Sequence, residues 1–420
     1  MATYSGPSKD SGPGGPWYAL SNTSFRRLWI ASWLWMTCMM MELAVASWLV
    51  LQLTDSPFSV ALVGTFRMLP MFVVGIAVGE LADRLPKKRL MVGAQFLHVT
   101  GASAMLFLLT MGWIQPWHVY ICTFLIGTAM TTDFPARRGY FAQMFESSRL
   151  NNVIALETAA MMGSFMLGPL LGGMLIELVD FTGSYIVMVS IFVVSLLIVI
   201  TIRSAEPIES AERQDGVIKD VIEGMKFARN NPTLWSLFLV TAVVNFLGFP
   251  FMQLVPVISR DVLGIGAFLY GLLAASMGIG SFAGSMLLAS IKVRNPQAYF
   301  CLGALVLQFS IAAFAYSEFY PLSFLILIVA GIGQSGFASM QSAITLQAAP
   351  PAMRGRAVGV ILLAIGLHPL GAVLLGKLAE VINPQHALGL LGITGFILVL
   401  SLRTALPAIQ GWPWQNENSN

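Results

Sequence analysis

Glu42, Arg67, Asp133, Arg137 and Glu157 each interrupt a run of apolar residues. An ionisable side chain in apolar surroundings is costly, so each needs a partner or a task. Glu42 lies in "MTCMMMELAVASW" and Arg67 in "ALVGTFRMLP". A carboxylate gripped by a guanidinium keeps its charge until the pair opens, whereas a lone carboxyl in a cavity takes up a proton more readily. Both roles are open to Glu42: half of a structural pair, or a proton carrier with Arg67 as its charge partner or as a substrate-binding group. Asp133 and Arg137 are four residues apart, the spacing at which helical neighbours meet, although Pro135 between them can alter that spacing.

The surroundings of these groups follow from composition. The chain has 420 residues, of which 56% are hydrophobic and only 10% charged, with 27 Phe and 23 Met. That apolar share exceeds what a soluble domain carries and points to a membrane protein. The net charge of +3 names no anionic partner, and no nucleic-acid partner is expected. Cys38, Cys122 and Cys301 all fall inside apolar runs and read as buried small hydrophobes, so neither a disulfide framework nor a metal site is expected. The opening "MATYSGPSKDSGPGGPWYALSNTSF" is polar and rich in Gly, Pro and Ser; it reads as a disordered tail with no signal-peptide pattern.

Twelve apolar runs are long enough to cross ~30 Å of hydrocarbon as helices: about 28–51, 58–82, 90–111, 117–140, 152–176, 184–202, 234–258, 267–290, 298–316, 321–343, 357–381 and 386–404. With the N-terminus cytoplasmic, all of the 23 lysines and arginines except Arg67, Arg260 and Lys377 fall on or near the inner side. This puts the C-terminus inside as well. The expected organisation is a tail (1–25), a six-helix bundle (26–202), a cytoplasmic linker (203–233), a second six-helix bundle (234–404) and a tail (405–420). The linker's "GVIKDVIEGMKFAR" is amphipathic and suits a helix lying on the membrane surface. A constant offset sets Gly284, Lys292, Arg294 and Arg354 opposite Gly79, Lys87, Arg89 and Arg149, an internal repeat that agrees with the split. Glu42 and Arg67 then lie about nine and ten residues from the outer ends of the first and second spans. At 1.5 Å per residue that places both ~14 to 15 Å deep, where antiparallel neighbours can meet.

Three stretches carry a resemblance. "GELADRLPKKR" between the second and third spans supplies Gly79, Asp83, Arg84, Lys87, Lys88 and Arg89. It resembles the signature loop of the major facilitator superfamily, with Pro86 where that pattern usually has Gly. "GSFMLGPLLGGML" in the fifth span supplies Gly168, Pro169, Gly172 and Gly173. It is similar to the pattern of the superfamily's exporters and drug:proton antiporters, with Ser164 in place of an upstream Gly. Small residues at Ser164, Gly168 and Gly172 also make a flat face for close packing, and Pro169 makes a bend. "TDFPARRGYFAQM" and "PPAMRGRAVGV" further resemble a bacterial branch of enterobactin-exporter-like and macrolide-efflux-like proteins.

The resemblance implies an all-helical major facilitator fold in the bacterial inner membrane, functional as a monomer. It implies export of an amphipathic small organic molecule by alternating access, in exchange for protons; a symporter or facilitator for an organic or lipid-like solute, or a transporter-like receptor, are the alternatives. It makes Gly79, Asp83, Arg84, Arg137 and Arg138 a cytoplasmic gate, with the fourth and eleventh spans as partners of Asp83. It also places the first, fourth, seventh and tenth spans around a central cavity. Thr37, Met39, Asn245, Gln253, Gln334 and Gln341 are the cavity candidates there, set among Met36 and Met40. Asp133 and Glu157 join Glu42 as proton-coupling candidates, or form a static inner network with Arg137. His368 beside Pro369 is either a titrating group or a satisfied interhelical partner. No nucleotide loop, catalytic triad or cofactor motif is present in the sequence, so no enzyme and no cofactor are expected.

Overall fold

The computed structural model describes residues 18–75, 78, 85–145, 147–202, 217–291, 293–406 and 409. Among these every regular element is helical. In chain order the helices are α1 (Thr23–Thr54), α2 (Pro57–Val73), α3 (Lys87–Thr110) and α4 (Pro116–Met144). Ser147–Thr201 then runs on as one segment broken only at Val179 and Asp180; residues 147–178 are α5 and 181–201 are α6. The amphipathic α7 (Val217–Asn230) leads to α8 (Pro232–Val262), α9 (Ala267–Ser290), α10 (Pro296–Ala315), α11 (Tyr320–Ala348), α12 (Arg354–Ile382) and α13 (Pro384–Ala405).

Local chemistry sets the ends. Asn22, Ser56, Asn231, Asn295 and Asn383 each accept hydrogen bonds from the first free backbone N–H groups of the helix that follows. Asp55 closes α1 in the left-handed region, at φ 50°, and Asp180 separates α5 from α6 at φ 54°. Aspartate tolerates the left-handed conformation of Asp55 better than most side chains, which permits a tight reversal there.

Two expected spans depart from a regular helix. In α8 a π turn at Val244–Gly248 and a 3-10 turn at Phe249–Gln253 are followed by a second π turn at Ile258–Val262. Pro250 and Pro256 each remove a backbone donor and crowd the preceding turn, and the helix absorbs them by changing its winding. In α12 the helix breaks between Ile365 and His368, one residue before Pro369.

α1 packs along α5 and α6, α3 against α4 and α6, and α2 against α4. In the later part of the chain α9 and α10 pack against α11, and α10 against α13. The two groups meet where α2 touches α12 and α8, where α1 touches α8, and where α5 touches α9. Close approach depends on missing side chains. A Cβ on Gly168 of α5 would overlap Met40 Cβ and sit 2.9 Å from Thr37 O of α1, while a Cβ on Gly173 would strike Ala267 O of α9. The expected flat face of Ser164, Gly168 and Gly172 therefore receives α1, and Gly173 on the adjoining face receives α9.

Replacing Gly168 with Leu should lower stability in detergent by about 1–3 kcal/mol through overpacking. The control is Gly93→Ala, where a Cβ meets nothing within 4 Å and helix propensity should raise stability by up to about 1 kcal/mol. Thermal unfolding of the two variants against the parent chain measures both.

Candidate functional site

Arg67 reaches from α2 to α1. Its Nη1 donates to Glu42 Oε2 at 2.7 Å and its Nη2 to Met39 O at 2.9 Å. Both side chains are 1% exposed, so the charges face each other away from solvent. A guanidinium so placed is held by two acceptors on one helix turn, which fixes α2 against α1. α4 closes the third side: a Cβ on Gly127 would collide with Arg67 O. One of the cavity candidates, Met39, thus contributes its backbone carbonyl to the pair.

Asp133 and Arg137 bond across Pro135, Nε to Oδ2 at 2.7 Å, so the proline does not displace the helical spacing. Arg137 Nη1 also donates to Ser32 Oγ of α1 at 2.7 Å, and the guanidinium lies 5.1 Å from the centre of the Trp35 ring. Glu157 of α5 stands within electrostatic reach of Arg137, Ser32, Asp133 and Arg138. Neither of its carboxylate oxygens, nor Asp133 Oδ1, nor Arg137 Nη2, makes a hydrogen bond of ordinary geometry among the described residues. Two acids and one buried guanidinium therefore share this pocket with bonding capacity to spare.

The cluster recruits groups that sequence reading passed over. Trp35 Nε1 lies 3.4 Å from His98 Nδ1 of α3, which also stands 3.0 Å from Ala94 O. Ser195 of α6 donates to Ala31 O and Gln95 Oε1. Ser32 with Trp35, and Gln95 with His98, are each one helical turn apart in apolar runs, and that spacing of polar groups was the signal available.

Of the gate candidates, Gly79, Asp83 and Arg84 lie outside the described residues. Arg137 is turned inward to Asp133 and Ser32, whereas Arg138 is exposed. The cavity candidates do not converge on one spot. Asn245 Nδ2 donates to Thr241 O, and Gln341 Nε2 to Thr241 Oγ1, so these two share a site between α8 and α11. Gln334 instead accepts from Ser281 of α9, Gln253 of α8 lies over Gly64 of α2, and Thr37 pairs with Ser164 of α5 at 3.0 Å. His368 begins the second part of α12 beside the backbone of Phe249.

At the opposite end from Arg137, a row of contacts ties the earlier helices to the later ones. Arg260 Nη1 donates to Asp55 Oδ1 at 2.7 Å and Leu51 O at 3.1 Å, while its Nε donates to Asp261. Ser56 Oγ donates to Glu380 Oε1 at 2.6 Å, Lys377 lies 4.1 Å above the Phe58 ring, and Trp48 stacks on Tyr270.

Residues 14–418 match the family described as transmembrane secretion effector. The multidrug efflux pump Tap of Mycolicibacterium fortuitum is 23% identical over 79% of this chain and 83% of its own length. Macrolide efflux protein A of Streptococcus pyogenes is 24% identical over 60% of this chain and 62% of its own. Among solved structures, the nucleoside transporter NupG superposes with a TM-score of 0.74 at 13% identity, covering 91% of this chain and all of that one. A bacterial homologue of the human lysosomal transporter Spinster gives 0.69 at 16% identity, covering 92% and 95%.

Removing one member of the Glu42–Arg67 pair strands a buried charge. Arg67→Met should therefore destabilise by about 3–5 kcal/mol, and the joint Glu42→Gln, Arg67→Met chain should recover most of that loss. Denaturation of the two single variants and the double variant gives the coupling directly; additive losses would mean the pair contributes nothing as a unit.

Proposed function

The chain belongs to the transmembrane secretion effector family, and from that premise we propose that it exports an amphipathic small organic molecule by alternating access, in exchange for protons. The observation that carries the coupling is the buried Glu42–Arg67 pair. A carboxylate held only by a guanidinium in an apolar setting is the group whose protonation most changes local energetics, because neutralising it leaves the arginine charge without its counterpart.

The proposed topology has twelve crossings. Nine described segments are long and apolar enough to span a bilayer. The Val179–Asp180 break divides one of them, and α2 and the charge-bearing α4 supply the other two. Cations cluster at the Arg137 end, which the positive-inside rule assigns to the cytoplasm, with both termini there. The chain then divides at residues 203–233 into a first bundle (26–202) and a second (234–404). In this arrangement the Asp55–Arg260 and Ser56–Glu380 contacts form an outer closure, and access is from the cytoplasm.

Substrate recognition is proposed between α8 and α11, where Asn245, Thr241 and Gln341 present amide and hydroxyl groups. The similarity to multidrug and macrolide efflux proteins favours a bulky amphipathic substrate. Asp133 and Glu157 are proposed as a second proton-accepting pair nearer the cytoplasm, and Gly79, Asp83 and Arg84 with Arg138 as the gate there. Gly168, Pro169, Gly172 and Gly173 supply the bend and close packing on which α5 moves. A monomer in the inner membrane, acting on its substrate and protons, suffices for this cycle.

In membrane vesicles, Glu42→Gln should abolish the effect of an imposed proton gradient on macrolide flux while downhill flux persists. Coupling equal to that of the parent chain would remove Glu42 from the mechanism, and a gradient that drives co-directional uptake would replace export with symport.

A further inference from the structure

We propose that the Tyr185 hydroxyl is the second partner of Glu42, receiving its carboxyl when Arg67 lets go. The proposal rests on the reading of Glu42 as a proton carrier, and it assigns Tyr185 a positioning role.

Two hydrogen bonds set the register of α1 against α6. Ser195 Oγ donates to Ala31 O, and Cys38 Sγ donates to Met188 O. Moving along α1 from Ala31 to Cys38 therefore matches moving back along α6 from Ser195 to Met188, as antiparallel neighbours require. Continuing four residues to Glu42 brings the facing helix to Ser184, with Tyr185 within one residue rise of about 1.5 Å. Residues 31, 38 and 42 share one side of α1, and the α6 side that bonds to them carries Tyr185. The titratable groups around Glu42 are Cys38 on its own helix, Arg67 on α2, Cys122 on α4 and Tyr185 on α6.

Tyr185 is fully buried, and its hydroxyl has no hydrogen-bond partner among the described residues. A buried hydroxyl without a partner is costly, and a phenyl ring would fill the same space without that cost. An orphan group in one conformation is accounted for by a partner in another. The group at its level able to change state is Glu42. A proton arriving on Glu42 cancels the charge that holds Arg67 Nη1, and Arg67 withdraws toward its remaining acceptor, Met39 O. The freed carboxyl then turns from α2 toward α6, where the Tyr185 O–H donates to its carbonyl oxygen. The incoming proton stays on Glu42 and the tyrosine keeps its own, so the charge left over is that of the Arg67 guanidinium, still bonded to Met39 O.

The test uses the purified full chain in lipid, with acid-minus-neutral infrared difference spectra and proton-driven macrolide efflux as readouts. The Glu42 carboxyl band is identified by its loss in Glu42→Gln. In Tyr185→Phe the band should move to higher wavenumber as its hydrogen bond disappears, and efflux should fall about ten-fold, while thermal stability stays level or rises. An unmoved band with efflux within about two-fold of the parent chain would overturn the role of Tyr185 alone. Absence of a Glu42 band in the parent chain would overturn the reading of Glu42 as proton carrier, and this proposal with it.

Discussion

The apolar interior admits no unpaired charge cheaply, and the arrangement of α1, α2 and α4 follows from that single constraint. Arg67 satisfies Glu42 and Met39 O together, which fixes α2 on α1. Arg137 satisfies Asp133 and Ser32, which fixes α4 on the same helix one end further along. α1 is thus gripped at two depths by two guanidiniums, each binding one carboxylate and one neutral acceptor. Such grips are strong while intact and fail when a carboxylate is neutralised, so the chemistry that builds the bundle is also the chemistry able to switch it.

Around those grips the helices pack closely, backbone against backbone. Glycines allow backbone to meet backbone where α5 lies on α1 and on α9, and where Gly371 of α12 meets Phe246 of α8. Close backbone packing of this kind favours whole-helix motion over side-chain rearrangement. α8 and α12, which face the earlier helices, are also the two whose winding is interrupted by proline. In the proposed cycle the interrupted helices supply the hinges, and the Asp55–Arg260 and Ser56–Glu380 bonds, partly open to solvent, supply a closure weak enough to release.

Much of this was legible in the sequence because bilayer thickness is a strict ruler. Helix positions follow from apolar length, and the depth of Glu42 and Arg67 follows from counting residues to a helix end. The meeting of those two needed only opposite charge and equal depth on adjacent antiparallel helices. Tyr185, Trp35 and His98 escaped because an uncharged polar residue in an apolar run gives no sign of which helix it faces; that depends on register, here set by Ser195 and Cys38. The amides are hard to place for a related reason. Asn245 and Gln341 gather at Thr241, but Gln334 and Gln253 turn to Ser281 and Gly64, and rotation about the helix axis is invisible to hydropathy. The changed winding of α8 did have a signal in Pro250 and Pro256, although proline does not specify which compensation follows.

In the proposed cycle one end of the bundle opens as the other closes. Pulsed electron resonance distances between spin labels test it most directly, with one pair at Leu53→Cys and Val381→Cys and another at Ala142→Cys and Gln347→Cys; all four sites are exposed and the native cysteines are buried. Acidification should lengthen the first distance and shorten the second in the same protein. Distances that move together, or that do not respond, would contradict alternating access driven by the buried acids.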